Sequence, residues 1–242
     1  MTRQVLSLPV RTVMAVGLFV ALTGTLPLAQ QASPKPTPKI PQSGVSQIMT
    51  LEGEFIRIAY NNEGYVTMGY RVVNESVGKD WMLLQIGTTV RRGTQNYKLA
   101  RTAITVDTPD GKKIPMATNQ EYMNVDIRPI EMRAKTVPDS INYFPPEATQ
   151  ACKISMFSPQ GSGVRAFDDV ELSANRACVG QIYFKIPGGI KYGQHWLNVQ
   201  FQNSLVRVPF KVMTDEEVKV ASKNWKDIKK QVDAAFKKGG GL

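Results

Sequence analysis

One histidine and two cysteines in a chain of 242 residues leave few of the groups on which catalysis and metal binding most often rest. A Ser-His-Asp or Cys-His relay would have to use His195, the only imidazole. It stands between Gln194 and Trp196 in an apparent strand, with no nucleophile-elbow pattern nearby, and reads as a partly exposed sheet histidine. Two cysteines and one histidine cannot close a four-ligand zinc site unaided. Neither a G-x-x-x-x-G-K loop nor G-x-G-x-x-G is present, which removes the usual phosphate cradles. Gly161-Ser162-Gly163 and Gly188-Gly189 read as turns. No metal and no cofactor is therefore expected.

Acids are missing from the first 29 residues, where Arg3 and Arg11 are the only charges. From Thr12 to Ala29 the chain carries no charge at all. Residues 1–29 therefore read as a signal peptide, with cleavage after Ala29 or Ala32. The same run is near the lower limit for a membrane span, so an uncleaved anchor over residues 12–29 is the alternative. Either way the protein is exported: periplasmic or secreted, or else held at the inner membrane. Residues 30–48, rich in Pro, Ser, Gln and Lys, predict a disordered tether. The formal net charge of +10 falls to about +8 without Arg3 and Arg11. The remaining lysines are scattered, and no nucleic-acid recognition module is present, so no nucleic-acid partner is expected.

Beyond the tether, at 42% hydrophobic and 21% charged, the composition is that of a folded globular chain. Period-two alternation starts in Glu54–Tyr60, turns at 61–64 and resumes over Tyr65–Asn74, predicting a hairpin. Trp81–Val90 and Tyr97–Asp107 predict two more strands. Thr108-Pro109-Asp110-Gly111 predicts a turn, because proline pre-sets φ and Gly111 accepts a positive one. Residues 118–160 are irregular: Asn119–Arg128 fits a short helix, yet Met123, Val125 and Ile127 also fit strand alternation. Cys152–Phe157, Gly180–Pro187, His195–Gln202 and Leu205–Val212 complete the strands. A period near 3.6 then takes over. Thr214 and Glu217 match a capping box, and Val218, Ala221, Trp225, Ile228, Val232 and Ala235 form an apolar stripe, so 214–238 predicts an amphipathic helix. The fold class predicted is mainly β: an immunoglobulin-like antiparallel β-sandwich over 49–213, with the 118–160 insertion and a C-terminal amphipathic α-helix.

Gly180, Ile182, Phe184, Ile186 and Pro187 follow the form G-x-I/V-x-F-x-I/V-P, within Phe167–Pro187. Tyr65–Asn74 ends in Asn before a polar turn, and Thr108–Gly111 is a D-x-D-G-like hairpin. In these features the chain resembles a family of immunoglobulin-like domains in exported bacterial proteins of unknown function. That family includes small secreted proteins similar to the mycobacterial immunogenic sandwich. The likeness spans about 51–117 and 165–212. It implies fold, export and a binding or cell-envelope role, and carries over no catalytic residue. The 118–160 insertion, the two cysteines and the C-terminal helix depart from it.

Five groups remain to be placed. Cys152 and Cys178 both lie past the export segment, where an even pair predicts one disulfide. Asp168, Asp169 and Glu171 form the densest acid cluster of the body but lack a calcium-loop pattern, so a solvated turn is expected. Tyr143-Phe144-Pro145-Pro146 supplies the first binding candidates, Tyr143 and Phe144, against the alternative that these rings cap the sandwich. Trp225 is the third, against the alternative that the helix packs internally. Trp81 is expected in the core. The reading that follows is an exported, non-catalytic binding or structural module of the cell envelope, with an unknown protein or envelope component as partner. A hydrolase with an unrecognised carboxylate pair is one alternative. A membrane-tethered accessory subunit docking through its C-terminal helix is the other.

Overall fold

A computed structural model describes residues 47–51, 55–74, 79–136, 140–159 and 163–238; for 47–51, 228–229 and 231–238 it describes the backbone alone. The expected export segment, and the expected linker over 30–48 as far as residue 46, lie outside the described residues; the last two linker positions, Gln47 and Ile48, belong to the first strand. The chain divides into residues 1–39 and 40–242, and every element below belongs to the second part.

Among the described residues twelve strands and four α-helical segments follow in order: β1 (Gln47–Leu51), β2 (Ile56–Tyr60), β3 (Gly64–Gly69), α1 (Arg71–Asn74), β4 (Trp81–Val90), β5 (Tyr97–Ala100), β6 (Ile104–Asp107), β7 (Lys113–Pro115), α2 (Asn119–Met123), α3 (Arg128–Thr136), β8 (Gln150–Ile154), β9 (Asp169–Leu172), β10 (Arg176–Lys185), β11 (Gly193–Gln200), β12 (Leu205–Val212) and α4 (Asp215–Lys238). Six strands form one sheet in the order β1-β2-β3-β4-β10-β8, four form a second in the order β12-β11-β6-β7, and β5 pairs with β9. All pairings are antiparallel except β8 with β10. The structure is thus the expected β-sandwich with a C-terminal helix.

Period-two alternation builds the inner layer. Met82, Leu84 and Ile86 of β4 and Ile182 and Phe184 of β10 point into one core, against Leu197, Val199, Val208 and Phe210 of β11 and β12. At about 25 cal/mol per Å² this shared burial is the main stabilising contribution to the sandwich. Local chemistry sets the corners. The Asn61 carboxamide oxygen accepts the Glu63 and Gly64 N–H groups at 2.9 and 2.8 Å, closing the β2–β3 turn.

Two expected strands end early. The run expected over Tyr65–Asn74 stops at Gly69, and Arg71–Asn74 makes one helical turn. Asn74 is buried there, its carboxamide oxygen accepting the Met213 N–H at 2.6 Å and its nitrogen donating to Tyr70 O at 3.1 Å. The run over Tyr97–Asp107 breaks into β5 and β6 at a 3₁₀ turn, Arg101–Ala103, so that each half joins a different sheet.

The α2 and α3 part of the insertion forms a third layer. Val72, Trp81, Leu83 and Tyr183 lie under Tyr122, Ile127, Ile130 and Ala134 in a second apolar cluster, which covers the outer face of the six-stranded sheet. Residues 119–128 are helical only to Met123, and the chain re-enters a helix at Arg128. Trp81 is buried as expected, but in this outer cluster. His195 corrects its expectation: it is fully buried, its Nδ1–H donating to Gly193 O at 3.0 Å and its ring stacked on Phe210 at 5.2 Å. α4 opens on the predicted capping box, Thr214 Oγ1 accepting the Glu217 N–H and the Glu217 carboxylate accepting the Thr214 N–H at 3.0 Å. It lays Val218 and Ala221 on the sandwich core. Among the described residues no helix is long and apolar enough to cross a membrane.

Candidate functional site: a groove at the open edge of the six-stranded sheet

β8 is the last strand of its sheet, and its backbone decides what that edge can do. The register pairs Ala151 with Ala177 and Cys152 with Cys178. Gln150 N–H donates to Asn175 O at 2.8 Å, so Gln150, Cys152 and Ile154 turn their backbone groups toward β10. Ala151 and Lys153 then turn theirs outward. Both residues are exposed, and no described strand lies beyond them. One residue further, Ser155 O is taken by Phe167 N–H at 2.9 Å, which marks where the open stretch ends.

Two devices hold β8 in place. The Cys152–Cys178 disulfide links it to β10 across directly paired positions. Gly180 admits the close approach of Ile154, because a Cβ there would lie 2.6 Å from the Ile154 carbonyl oxygen. The predicted disulfide is therefore an intra-sheet staple on the edge strand.

A groove of about 640 Å³ runs beside this edge. Ala151, Lys153, Val179, Gln181 and Tyr183 form its floor, Tyr122 and Glu131 its helical wall, and Phe157, Pro159 and Val164 its far end. The wall is positioned locally. Thr118 and Glu121 close a capping box on α2, with Glu121 N–H donating to Thr118 Oγ1 at 3.1 Å. Asp126 starts α3 by accepting the Arg128 N–H at 3.2 Å. Ile130 and Ala134, one turn apart, anchor α3 to the sheet, and that anchoring turns Glu131 toward the groove. At the far end the Asn119 side chain accepts the Ser158 N–H at 2.9 Å, tying the segment after β8 to the start of α2.

Three rings form the groove's aromatic body. Tyr122, Tyr183 and Phe157 meet with centroids 4.9 to 5.2 Å apart. The Tyr122 hydroxyl donates to Glu131 Oε1 at 2.5 Å, and the Tyr183 hydroxyl lies between Gln181 Oε1 at 3.1 Å and the same Glu131 oxygen at 3.3 Å. Burial first, then the Glu131 carboxylate, pushes the Tyr122 hydroxyl well above the usual phenol range. Burial and the neighbouring Tyr122 and Glu131 do the same to Tyr183. Both tyrosines therefore stay protonated donors. Behind Phe157 the Arg101 guanidinium stacks at 4.7 Å and donates to the carbonyls of Ala117 and Met156. Arg101 thus joins the sandwich to both ends of the insertion.

The residues singled out from the sequence do not converge. Phe144 is half-buried on the outer face, 6.4 Å from the Tyr65 ring, and a Cβ on Gly87 would lie 2.7 Å from its Cζ. Tyr143 beside it is also half-buried. Phe144 thus covers β3 and β4, and neither residue lines the groove. Trp225 is half-buried on α4 and belongs to neither apolar cluster. Cys152 alone of these lines the groove. Asp168 pairs with Arg101 at 3.3 Å, while Asp169 and Glu171 belong to β9. Among the described residues no group of histidine, cysteine and acid side chains has the arrangement of a metal site.

Tyr122, Glu131, Tyr183 and Arg101 were not singled out. One signal was present: Met82-Leu83-Leu84 is apolar at consecutive positions, which requires cover on both faces of β4. That cover is α2 and α3, and the groove lies where they stop. No protein-family model matches the sequence, and neither the curated proteins nor the solved structures offer a match.

Proposed function

We propose that this protein is an exported, non-catalytic binding module of the cell envelope, and that it takes an extended polypeptide segment onto β8 by strand addition. The supporting observation is the pair of outward-turned backbones at Ala151 and Lys153, exposed on an edge strand and flanked by an aromatic groove. Main-chain hydrogen bonds to these two residues would supply register, and the groove would receive alternate side chains of the guest. Burial of His195 against Phe210 keeps the sole imidazole from any substrate, and the groove lining holds one carboxylate where a glycosidase needs two.

The test is hydrogen exchange on the full chain, as the cell produces it, with and without a pool of capped β-prone octapeptides. Slowed exchange at the amides of Ala151 and Lys153 is the expected result. Lys153→Pro removes an outward N–H that β10 does not use, so it should abolish peptide binding and leave the melting temperature close to the parent's. Protection confined to other surfaces, or binding undiminished by Lys153→Pro, would refute strand addition at this edge.

A further inference from the structure

We infer that the groove selects a guest strand carrying a lysine or arginine, whose charged head ends on the Glu131 carboxylate beside Tyr122. The inference rests on the strand-addition reading and adds the chemistry of the guest.

Charge is the first reason. Glu131 is the one acid lining the groove; the Tyr122 hydroxyl donates to its Oε1, which the Tyr183 hydroxyl shares with Gln181, and no donor among the described residues takes Oε2. Among the described residues no lysine or arginine pairs with it: the ion pairs of the fold join Asp107, Asp110, Asp126, Asp168, Glu171 and Glu217 to their own cations. Lys153, the groove's one base, is exposed and leaves the carboxylate unpaired. A guest cation would therefore meet a half-buried, fixed carboxylate with an unused oxygen, which favours a charge-assisted hydrogen bond.

The second reason is the surface the side chain must cross. Its aliphatic stem would run over the edges of Tyr122 and Tyr183, and aromatic rings attract the charged head as well as the stem. The same pairing already exists inside the molecule, where the Arg101 guanidinium lies 4.7 Å from the Phe157 centroid. Geometry is the third. Side chains of an added strand alternate between faces, so every second one would stand on the outer face, where α2 and α3 rise as the groove wall. A side chain there must be long to reach Glu131, which suits lysine and arginine.

Fluorescence polarisation with three capped, dye-labelled octapeptide pools tests this. The pools share random β-branched and small residues and differ at one fixed central position: lysine, norleucine or glutamate. The lysine pool should bind the parent about tenfold more tightly than the norleucine pool, and the glutamate pool least. In Glu131→Gln the lysine and norleucine pools should converge, with melting unchanged. Equal binding of all three pools to the parent, still erased by Lys153→Pro, overturns the charge selection and leaves strand addition standing. A lysine advantage that survives Glu131→Gln overturns the assignment to Glu131. Failure of every pool to bind overturns both readings together.

Discussion

Arg101 offers the sharpest test of how the insertion is held, because its surroundings separate a buried hydrogen-bonding role from a salt bridge. The side chain is buried, while that of its ionic partner Asp168 is 94% exposed. One guanidinium nitrogen donates to Ala117 O at 2.8 Å and another to Met156 O, with a marginal third contact to Phe167 O at 3.5 Å. Arg101→Met keeps the stem and most of the volume but strands two buried carbonyls. Hydrogen bonds from a charged donor contribute about 1.5–3 kcal/mol each, so losing two costs about 3–6 kcal/mol. Methionine's packing on Phe157 returns part of that, leaving about 3–5 kcal/mol. For a domain of this size the melting temperature should fall by roughly 6–20 °C. Asp168→Asn removes only an exposed ion pair and should cost under about 1 kcal/mol. Differential scanning calorimetry of both variants decides between the two roles. If Arg101→Met melts within about 2 °C of the parent, or if Asp168→Asn is equally damaging, the carbonyl accounting is wrong.

Reducing the Cys152–Cys178 bond, which closes a 26-residue separation, should lower stability by about 3.5 kcal/mol in the chain-entropy model; denaturant titrations of oxidised and reduced protein that coincide would contradict this. Burial lowers the His195 pKa, against weaker opposing effects from the Gly193 carbonyl and Asp110. The unfolded chain, with a histidine near the ordinary ~6.5, therefore binds the proton first, so stability should fall as pH drops below about 6.5 and level off below the folded value. A His195→Gln chain whose melting temperature tracks pH as the parent's does would refute that. A chain ending at Met213 loses the burial of Val218 and Ala221 and should be less stable by about 1–3 kcal/mol. Trp225→Ala should cost well below the ~3–5 kcal/mol of an enclosed aromatic, because the ring is only half-buried. A larger loss from Trp225→Ala than from the truncation would show that the helix packs through the tryptophan.

Elements governed by neighbouring residues were legible. The α4 start follows from Thr214 and Glu217 meeting across one turn, and the Thr108–Gly111 turn from Pro109 and Gly111, whose φ is 78°. The pairing of Cys152 with Cys178 was legible from their number and from the expected export segment. The end of β3 at Gly69 was not, because Asn74 owes its place to Met213, 139 residues on. The environment of His195 also escaped the sequence, since exposure is a property of what packs over a strand and alternation reports only its side. The groove was least visible of all. Its members come from α2, α3, β8, β10 and the segment between β8 and β9, and none of these carries a pattern that marks recognition.

By itself the sequence determined the repeating local choices: which residues alternate, where turns break the runs, and where a helical period replaces a strand period. Each of these depends on side chains a few positions apart, whose interactions survive in any compact arrangement. Only the tertiary structure decided that α2 and α3 would cover one sheet face, that β8 would join β10 in parallel, and that two tyrosine hydroxyls would lie within reach of Glu131. Those outcomes depend on residues such as Tyr122, Glu131 and Tyr183, which lie up to 61 positions apart and meet only once both sheet faces must be kept from water.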